Sequence, residues 1–182
     1  MKSLEKYKAQ AKQEVFRLEH LRLYKVEADL VEFERWRRGQ STAADDPSND
    51  YWQQLQELHD RGVASRRVRV VDFPPTEYLR YEIDFYRGSM SRGEDILFIE
   101  RAPAIDCMQS TVVTQDFWLF DHTVALLWKY DKSGERRGQD EIAVNQVAPY
   151  AALRDCLVER ALPMQDFIER YEESFNAADD ER

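Results

Sequence analysis

The sequence predicts an α+β fold, with a small and mostly antiparallel sheet of four or five strands that is covered by helices. Two short aromatic runs between residues 116 and 131 are typical of a β-hairpin. Residues 65–72 alternate between apolar and charged side chains, as a strand with two different faces does. Most other segments place apolar residues three and four positions apart, which predicts helices. With 182 residues, of which 43% are hydrophobic, the chain can bury a core of ordinary domain size.

The N-terminal 40 residues are predicted to form a helical segment that packs on the domain or extends from it. An amphipathic helix is expected over residues 3–23 and a second helix over residues 27–38, before Gly39. The first helix would carry an apolar stripe at Leu4, Tyr7, Ala11, Val15 and Leu18. Self-association through this helix would bury the stripe, and so would packing within the same chain.

The α+β domain is predicted to span residues 41–176, after a polar loop at 41–50. A helix is expected over 50–61 and a strand over 65–72, in which Val68 and Val70 face the core. Arg67 and Arg69 would then lie on a wet or ligand-facing side. A helix capped by Thr76 is expected over 77–87 and a strand over 96–101, whereas residues 103–115 have no clear pattern.

The hairpin is expected to pair residues 117–120 with residues 124–128. Trp118 alternates with Phe117 and Leu119, so apolar side chains would lie on both faces of the sheet and helices must cover both. An edge strand at 137–144 and helices at 147–161 and 163–176 complete the domain, and residues 177–182 are expected to be a disordered tail.

Composition argues against several classes of protein. A net charge of -9 makes non-specific DNA binding unfavourable, and no apolar run approaches the roughly 20 residues of a membrane span. Cys107 and Cys156 are too few for a disulfide framework. We interpret them as buried or idle thiols in a reducing compartment, which predicts a cytoplasmic location.

No motif assigns a reaction to the chain. The three histidines, His20, His59 and His122, lack the spacing of a metal site, and six glycines offer no phosphate-binding loop. The sequence therefore predicts no catalytic residue, no metal ligand and no cofactor.

Charged and aromatic side chains near the strands form the candidate ligand site. The arginines suit a phosphate or carboxylate, which a guanidinium binds through two parallel hydrogen bonds. Such a site is expected where loops converge at strand ends. Alternatively, acids such as Glu82 and the pair Glu94-Asp95 would tie the arginines into a structural ion network. The candidate residues are Arg67, Arg69, Tyr78, Arg80, Glu82, Glu94, Asp95, Asp116, Trp118 and Asp121.

Four blocks of sequence, at residues 66–71, 78–82, 93–96 and 116–121, resemble domain-of-unknown-function family 6879, a group of uncharacterised bacterial proteins. Members often have an arginine after the glutamate–aspartate pair, where this chain has Leu97, with Arg101 the nearest candidate. They also tend to have an acid after the aromatic block, where this chain has His122. Because members commonly lie near helix-turn-helix regulators, the resemblance implies an accessory or regulatory role.

The order of the predicted elements is also similar to the catalytically dead half-domains of the phospholipase D superfamily. Active members carry a His-x-Lys pair on the hairpin, where this chain has Asp116 and Trp118. The analogy therefore implies that this copy has lost the chemistry.

Three functions remain as expectations. The first is a regulatory domain that acts through a small anionic ligand or a protein partner. The second is a phosphoester-processing enzyme that uses Arg67, Arg69, Asp116 and Asp121. The third is an oligomeric structural or interaction module.

Overall fold

Seven strands form one mixed sheet in the computed structural model, which describes residues 2–177. The strands are β1 (Glu14–Glu19), β2 (Ala64–Val71), β3 (Glu94–Glu100), β4 (Phe117–Phe120), β5 (Val124–Tyr130), β6 (Arg136–Ile142) and β7 (Leu162–Pro163). Their order across the sheet is β6-β5-β4-β1-β2-β3-β7. The mixture of helices and strands is as predicted, but the expected four or five strands were too few.

The centre of the sheet is parallel, which the prediction of a mostly antiparallel sheet missed. β2 pairs in parallel with β1 on one side and with β3 on the other. The chain makes these pairings through helical crossovers, because parallel neighbours need a long connection. The other pairs, which join β1 to β4, β4 to β5, β5 to β6 and β3 to β7, are antiparallel.

The predicted helix at 3–23 is wrong beyond residue 10. A helix, α1, covers Lys2–Gln10, but Glu14–Glu19 is strand β1, which lies between β4 and β2. The segment before residue 40 therefore shares the sheet with the residues after 41. Most of the apolar stripe is buried within the chain, since Ala11, Val15 and Leu18 are at most 5% exposed, and Leu4 and Tyr7 are partly buried against the same core. The reason for expecting self-association, an apolar stripe that needed a partner to cover it, therefore no longer applies.

Eight α-helices lie within residues 2–177. After α1 they are α2 (Glu27–Arg37), α3 (Asp50–Asp60), α4 (Glu77–Met90), α5 (Arg101–Thr111), α6 (Ala148–Arg160), α7 (Met164–Arg170) and α8 (Glu172–Ala177). Thr76 caps α4 as predicted, by accepting a hydrogen bond from the backbone N–H of Leu79 at 3.1 Å. α5 occupies the segment that had no clear pattern, and the predicted last helix is two helices. Of the predicted tail, residues 178–182 lie outside the described residues. None of the described helices is long and apolar enough to cross a membrane.

Helices α5 and α6 close one face of the sheet, which we call the packed face. Its core consists of alternate strand residues, among them Phe16, Leu18, Val68 and Phe117, all 0% exposed. Cys107 of α5 and Cys156 of α6 form a disulfide, with Cα atoms 5.8 Å apart. The prediction of two free thiols was therefore wrong, because residues 49 positions apart meet only after both helices dock on the sheet.

Helices α1 to α4, together with α7, cover the opposite face, which we call the charged face. Trp118 points to this face and is 4% exposed, which confirms that the hairpin is covered on both sides. Apolar clusters fill the two ends of this face, around Trp118 and around Phe98. Between them the strands carry charged side chains and leave an open volume.

Candidate functional site

Strand alternation puts buried charges in the middle of the charged face. Arg17 and Glu19 of β1 lie beside Arg67 and Arg69 of β2, since Arg17 pairs with Arg67 and Glu19 with Arg69 in the register. Glu94 joins them from β3. Arg67, Arg69, Glu19 and Glu94 are at most 4% exposed. The side of β2 that was expected to be wet is therefore enclosed.

Arg67 is bound by two carboxylates. Its Nη1 donates to Glu19 at 3.1 Å, and its Nε and Nη2 donate to Glu94 Oε1 at 3.1 and 3.0 Å. Nη2 also donates to the hydroxyl of Tyr51, which donates to Glu94 at 3.1 Å. Burial alone would lower the pKa of Arg67, but Glu19 and Glu94 raise it well above its ordinary value. Arg67 thus stays charged and is held in place.

Arg69 has a separate partner on the helix above it. Its Nε and Nη2 donate to Glu82 Oε2 of α4 at 3.0 and 2.7 Å, and its Nη1 donates to the carbonyl of Leu21 at 2.5 Å. Glu82 and Glu94 are acids that the sequence analysis named for the structural alternative. The two central arginines of the candidate site are therefore members of an ion network that joins α4 to the sheet.

An open volume of about 640 Å³ lies between this network and helices α1 to α4. Arg17, Glu19 and Arg67 line it from the sheet. Its walls are rich in aromatic rings, which come from Tyr24, Tyr51, Tyr78, Tyr81, Phe85, Tyr86, Trp118, Trp128 and Tyr130. This cavity lies over the face of the sheet, whereas the sequence analysis expected a ligand site at the strand ends.

Lys8 of α1 projects into this cavity and differs from the arginines. It is 6% exposed, and among the described residues its ammonium has no carboxylate within 4.0 Å. Its Nζ donates to Gln54 Oε1 at 3.0 Å and lies 4.8 Å from the ring centroids of both Tyr51 and Trp118. Burial lowers the pKa of Lys8 to about 8. Its ammonium is therefore a desolvated cation with donors to spare.

Two tryptophans in the cavity wall also have unused donors. Trp118 and Trp128 are 4% and 7% exposed, and within residues 2–177 neither indole N–H has an acceptor. A buried N–H without a partner costs free energy unless another group accepts from it. Both indole N–H groups are enclosed by the protein, so the cavity offers the ammonium of Lys8 to an incoming acceptor.

Six of the ten predicted site residues meet on the charged face, namely Arg67, Arg69, Tyr78, Glu82, Glu94 and Trp118. Asp116 is buried next to this group, where it accepts a hydrogen bond from the hydroxyl of the cavity residue Tyr24 at 2.6 Å. It also accepts one from the backbone N–H of His20 at 2.9 Å.

The other three predicted residues lie elsewhere. Asp95 is on the opposite side of β3 and pairs with Arg66 at 3.0 Å. Arg80 donates to the carbonyl of Phe175 near the end of the chain. Asp121 accepts hydrogen bonds from the backbone N–H groups of residues 12, 13 and 14, which fixes the entry to β1. Each of these three side chains therefore has a partner in the fold, and none of them lines the cavity.

The sequence analysis missed most of the charged residues that line the cavity, among them Lys8, Arg17 and Asp29. One signal for Lys8 was available, because it lies four positions after Leu4 and three before Ala11, in the middle of the apolar stripe. Arg17 was hidden by the expected helix, since its place on the charged face depends on β1 entering the sheet.

Metal chemistry receives no support from the geometry of the described residues, which contain no group of three or more His, Cys, Asp or Glu side chains that could hold a metal ion.

Comparison with known proteins places nearly all of the chain in one family. The family model described as "Domain of unknown function (DUF6879)" matches residues 2–169. This span includes every strand of the sheet and all the residues that line the cavity. No curated protein matches the chain.

Proposed function

Since the chain belongs to the DUF6879 family, whose description names no activity, we propose from the geometry that it is a regulatory or accessory domain that binds a small anionic ligand. The cavity between the sheet and helices α1 to α4 is the binding site. The ligand is planar in part and carries a carboxylate or phosphate group that contacts Lys8.

The ammonium of Lys8 is the observation that carries the proposal. A buried cation costs free energy unless an anion or several hydrogen bonds compensate it. Arg67 and Arg69 are compensated by Glu19, Glu94 and Glu82, whereas Lys8 has one amide oxygen at 3.0 Å. An anion from the ligand would supply the missing partner.

The size and lining of the cavity agree with a small molecule. A volume of about 640 Å³ falls in the ordinary range of ligand pockets, roughly 300–1,000 Å³. Aromatic rings favour a planar ligand, because stacked or edge-on contacts add to the burial of apolar area. The accessory or regulatory role follows the expectation from the family resemblance.

The enzyme alternative has no observation in its favour. It requires Arg67, Arg69, Asp116 and Asp121 around one substrate, but Asp121 is engaged by the backbone of residues 12–14. The two arginines are already paired with carboxylates. The oligomeric alternative depends on an apolar stripe that the chain itself buries.

A fluorescent anion tests the binding site. The probe 1-anilinonaphthalene-8-sulfonate is aromatic, carries one sulfonate and becomes fluorescent when it leaves water. We expect saturable binding to the folded protein and at least about tenfold weaker binding to Lys8→Met, because a charged hydrogen bond contributes about 1.5–3 kcal/mol.

Lys6→Met is the matched control, because Lys6 is an exposed lysine on the same helix. Its affinity for the probe should equal that of the parent, and thermal melts should show that both variants are folded. Equal probe binding by the parent and by folded Lys8→Met would refute the proposed site.

A further inference from the structure

The cavity contains an acidic group that the binding of an anion alone leaves unexplained. Asp29 of α2 lines the same cavity as Lys8 and is half-buried. Among the described residues its carboxylate accepts no hydrogen bond and forms no ion pair within 4.0 Å. Burial raises the pKa of Asp29, with Arg17 acting in the opposite direction, and a cation or donor from a ligand would favour its charged form further.

Tyr78 and Tyr81 line the same cavity as Asp29. One turn after Asp29 on α2, Phe33 packs edge-on against Tyr78 at 5.3 Å and contacts Tyr81 at 5.6 Å. Asp29 acts electrostatically on both tyrosines, whose pKa values are raised by burial first and then by nearby acids. A carboxylate beside tyrosine rings is the arrangement that binds an ammonium group, through an ion pair and cation–π contacts.

Lys8 and Asp29 do not neutralise each other. They belong to different helices and do not form an ion pair. Arg17, which is paired with Glu19 at 2.5 Å, lines the same cavity as both of them. The cavity thus presents an ammonium and a carboxylate, neither of them in an ion pair among the described residues, in one aromatic-lined volume.

We infer that the ligand is a zwitterion with an aromatic body, whose anionic group contacts Lys8 and whose ammonium group contacts Asp29. The aromatic body lies among the rings of the cavity wall, which include those of Trp118 and Trp128. An aromatic amino acid, or a small molecule built on one, has this chemistry. The inference rests on the proposed function, since it names the class of ligand for the same site.

Three probes that share the indole ring measure the contribution of each charged group of the ligand separately. L-Tryptophan carries both groups, indole-3-propionate lacks the ammonium, and tryptamine lacks the carboxylate. In calorimetric titrations of the full chain we expect L-tryptophan to bind at least about tenfold more tightly than either single-charge probe, because each removes one charge-assisted contact.

Two substitutions test which side chain contacts each charged group of the ligand. Asp29→Asn should remove the advantage of L-tryptophan over indole-3-propionate and leave the affinity for indole-3-propionate unchanged. Lys8→Met should remove the advantage over tryptamine. Glu27→Gln, at an exposed position of the same helix as Asp29, is the control and should leave all three affinities unchanged.

The outcomes separate the two proposals. If indole-3-propionate binds as tightly as L-tryptophan and depends on Lys8, the zwitterion inference is wrong and the anion site remains. If L-tryptophan does not bind at all, the inference is wrong whatever the fluorescent probe does. If the fluorescent probe also fails to bind, the proposed function is wrong as well.

Discussion

The two faces of the sheet are built from alternate residues of the same strands and yet differ in kind. On the packed face, Leu18 and Val68 are apolar and fully buried under α5 and α6. On the charged face, Arg17 and Arg67 are their neighbours in sequence and line a cavity. Because the strand period is two, one residue separates a position that stabilises the fold from one that faces the cavity.

The difference shows which face carries the specific chemistry of the chain. An apolar face gains free energy from burial, whereas a buried ion network gives little net stability compared with apolar side chains of similar volume. The packed face stabilises the fold mainly by burying apolar side chains, and the middle of the charged face holds polar groups at defined positions around an open volume. We therefore look for ligand binding on the charged face.

The largest expected effect is the loss of Arg67. Arg67→Ala leaves Glu94 buried with only the hydroxyl of Tyr51 as a partner, and Glu19 loses one of its two arginines. We expect the free energy of unfolding to fall by about 3–5 kcal/mol in urea titrations, as for other broken buried pairs.

Arg66→Ala, on the packed face, is the control for Arg67→Ala. The side chain of Arg66 is 24% exposed, and its partner Glu14 keeps Arg154 at 2.5 Å, so we expect a loss of about 1 kcal/mol or less. Equal losses for the two variants would contradict the difference between the faces.

Adjacent substitutions on β1 give the next largest contrast. Leu18→Ala removes a fully buried side chain from the packed face and should lower the free energy of unfolding by about 2–5 kcal/mol. Arg17→Met should cost about 1 kcal/mol or less, because Arg17 is partly exposed and Glu19 keeps Arg67 and Tyr86. Urea titrations of both variants would overturn the comparison if Arg17→Met were the more damaging change.

The disulfide gives a smaller effect that is confined to the packed face. Opening the Cys107–Cys156 bond should lower the free energy of unfolding by about 2–4 kcal/mol, since the bond closes a long loop. Because the bond lies across the sheet from the cavity, the fluorescent anion should bind as before. Urea titration with and without a reductant measures the first effect. Loss of probe binding on reduction of a protein that remains folded would contradict the separation of the faces.

Local patterns predicted most of the elements. The alternation at 65–72 identified β2, and the aromatic runs identified the hairpin, because each strand has a clear period. β1 was missed because Val15 and Leu18 are three positions apart and also fit a helical spacing. Glu19 hides the strand further, since buried glutamates are rare.

The site could be predicted only in part, because its partners are distant in the sequence. The arginines of β2 were identified, but their burial depends on Glu19 from β1, Glu94 from β3 and Glu82 from α4. No local pattern indicates that these acids converge. Lys8 and Asp29 gain their importance only from the cavity between the helices and the sheet.

The titration of Lys8 tests the central claim most directly. In NMR spectra of protein with labelled lysines, the signal that Lys8→Arg removes should titrate near pH 8, because burial lowers the pKa of this ammonium. Saturation with 1-anilinonaphthalene-8-sulfonate should raise that pKa by about 1 unit or more, since a nearby anion favours the charged form. A Lys8 pKa that does not change while the probe is bound would contradict the account, because the anion would then lie elsewhere.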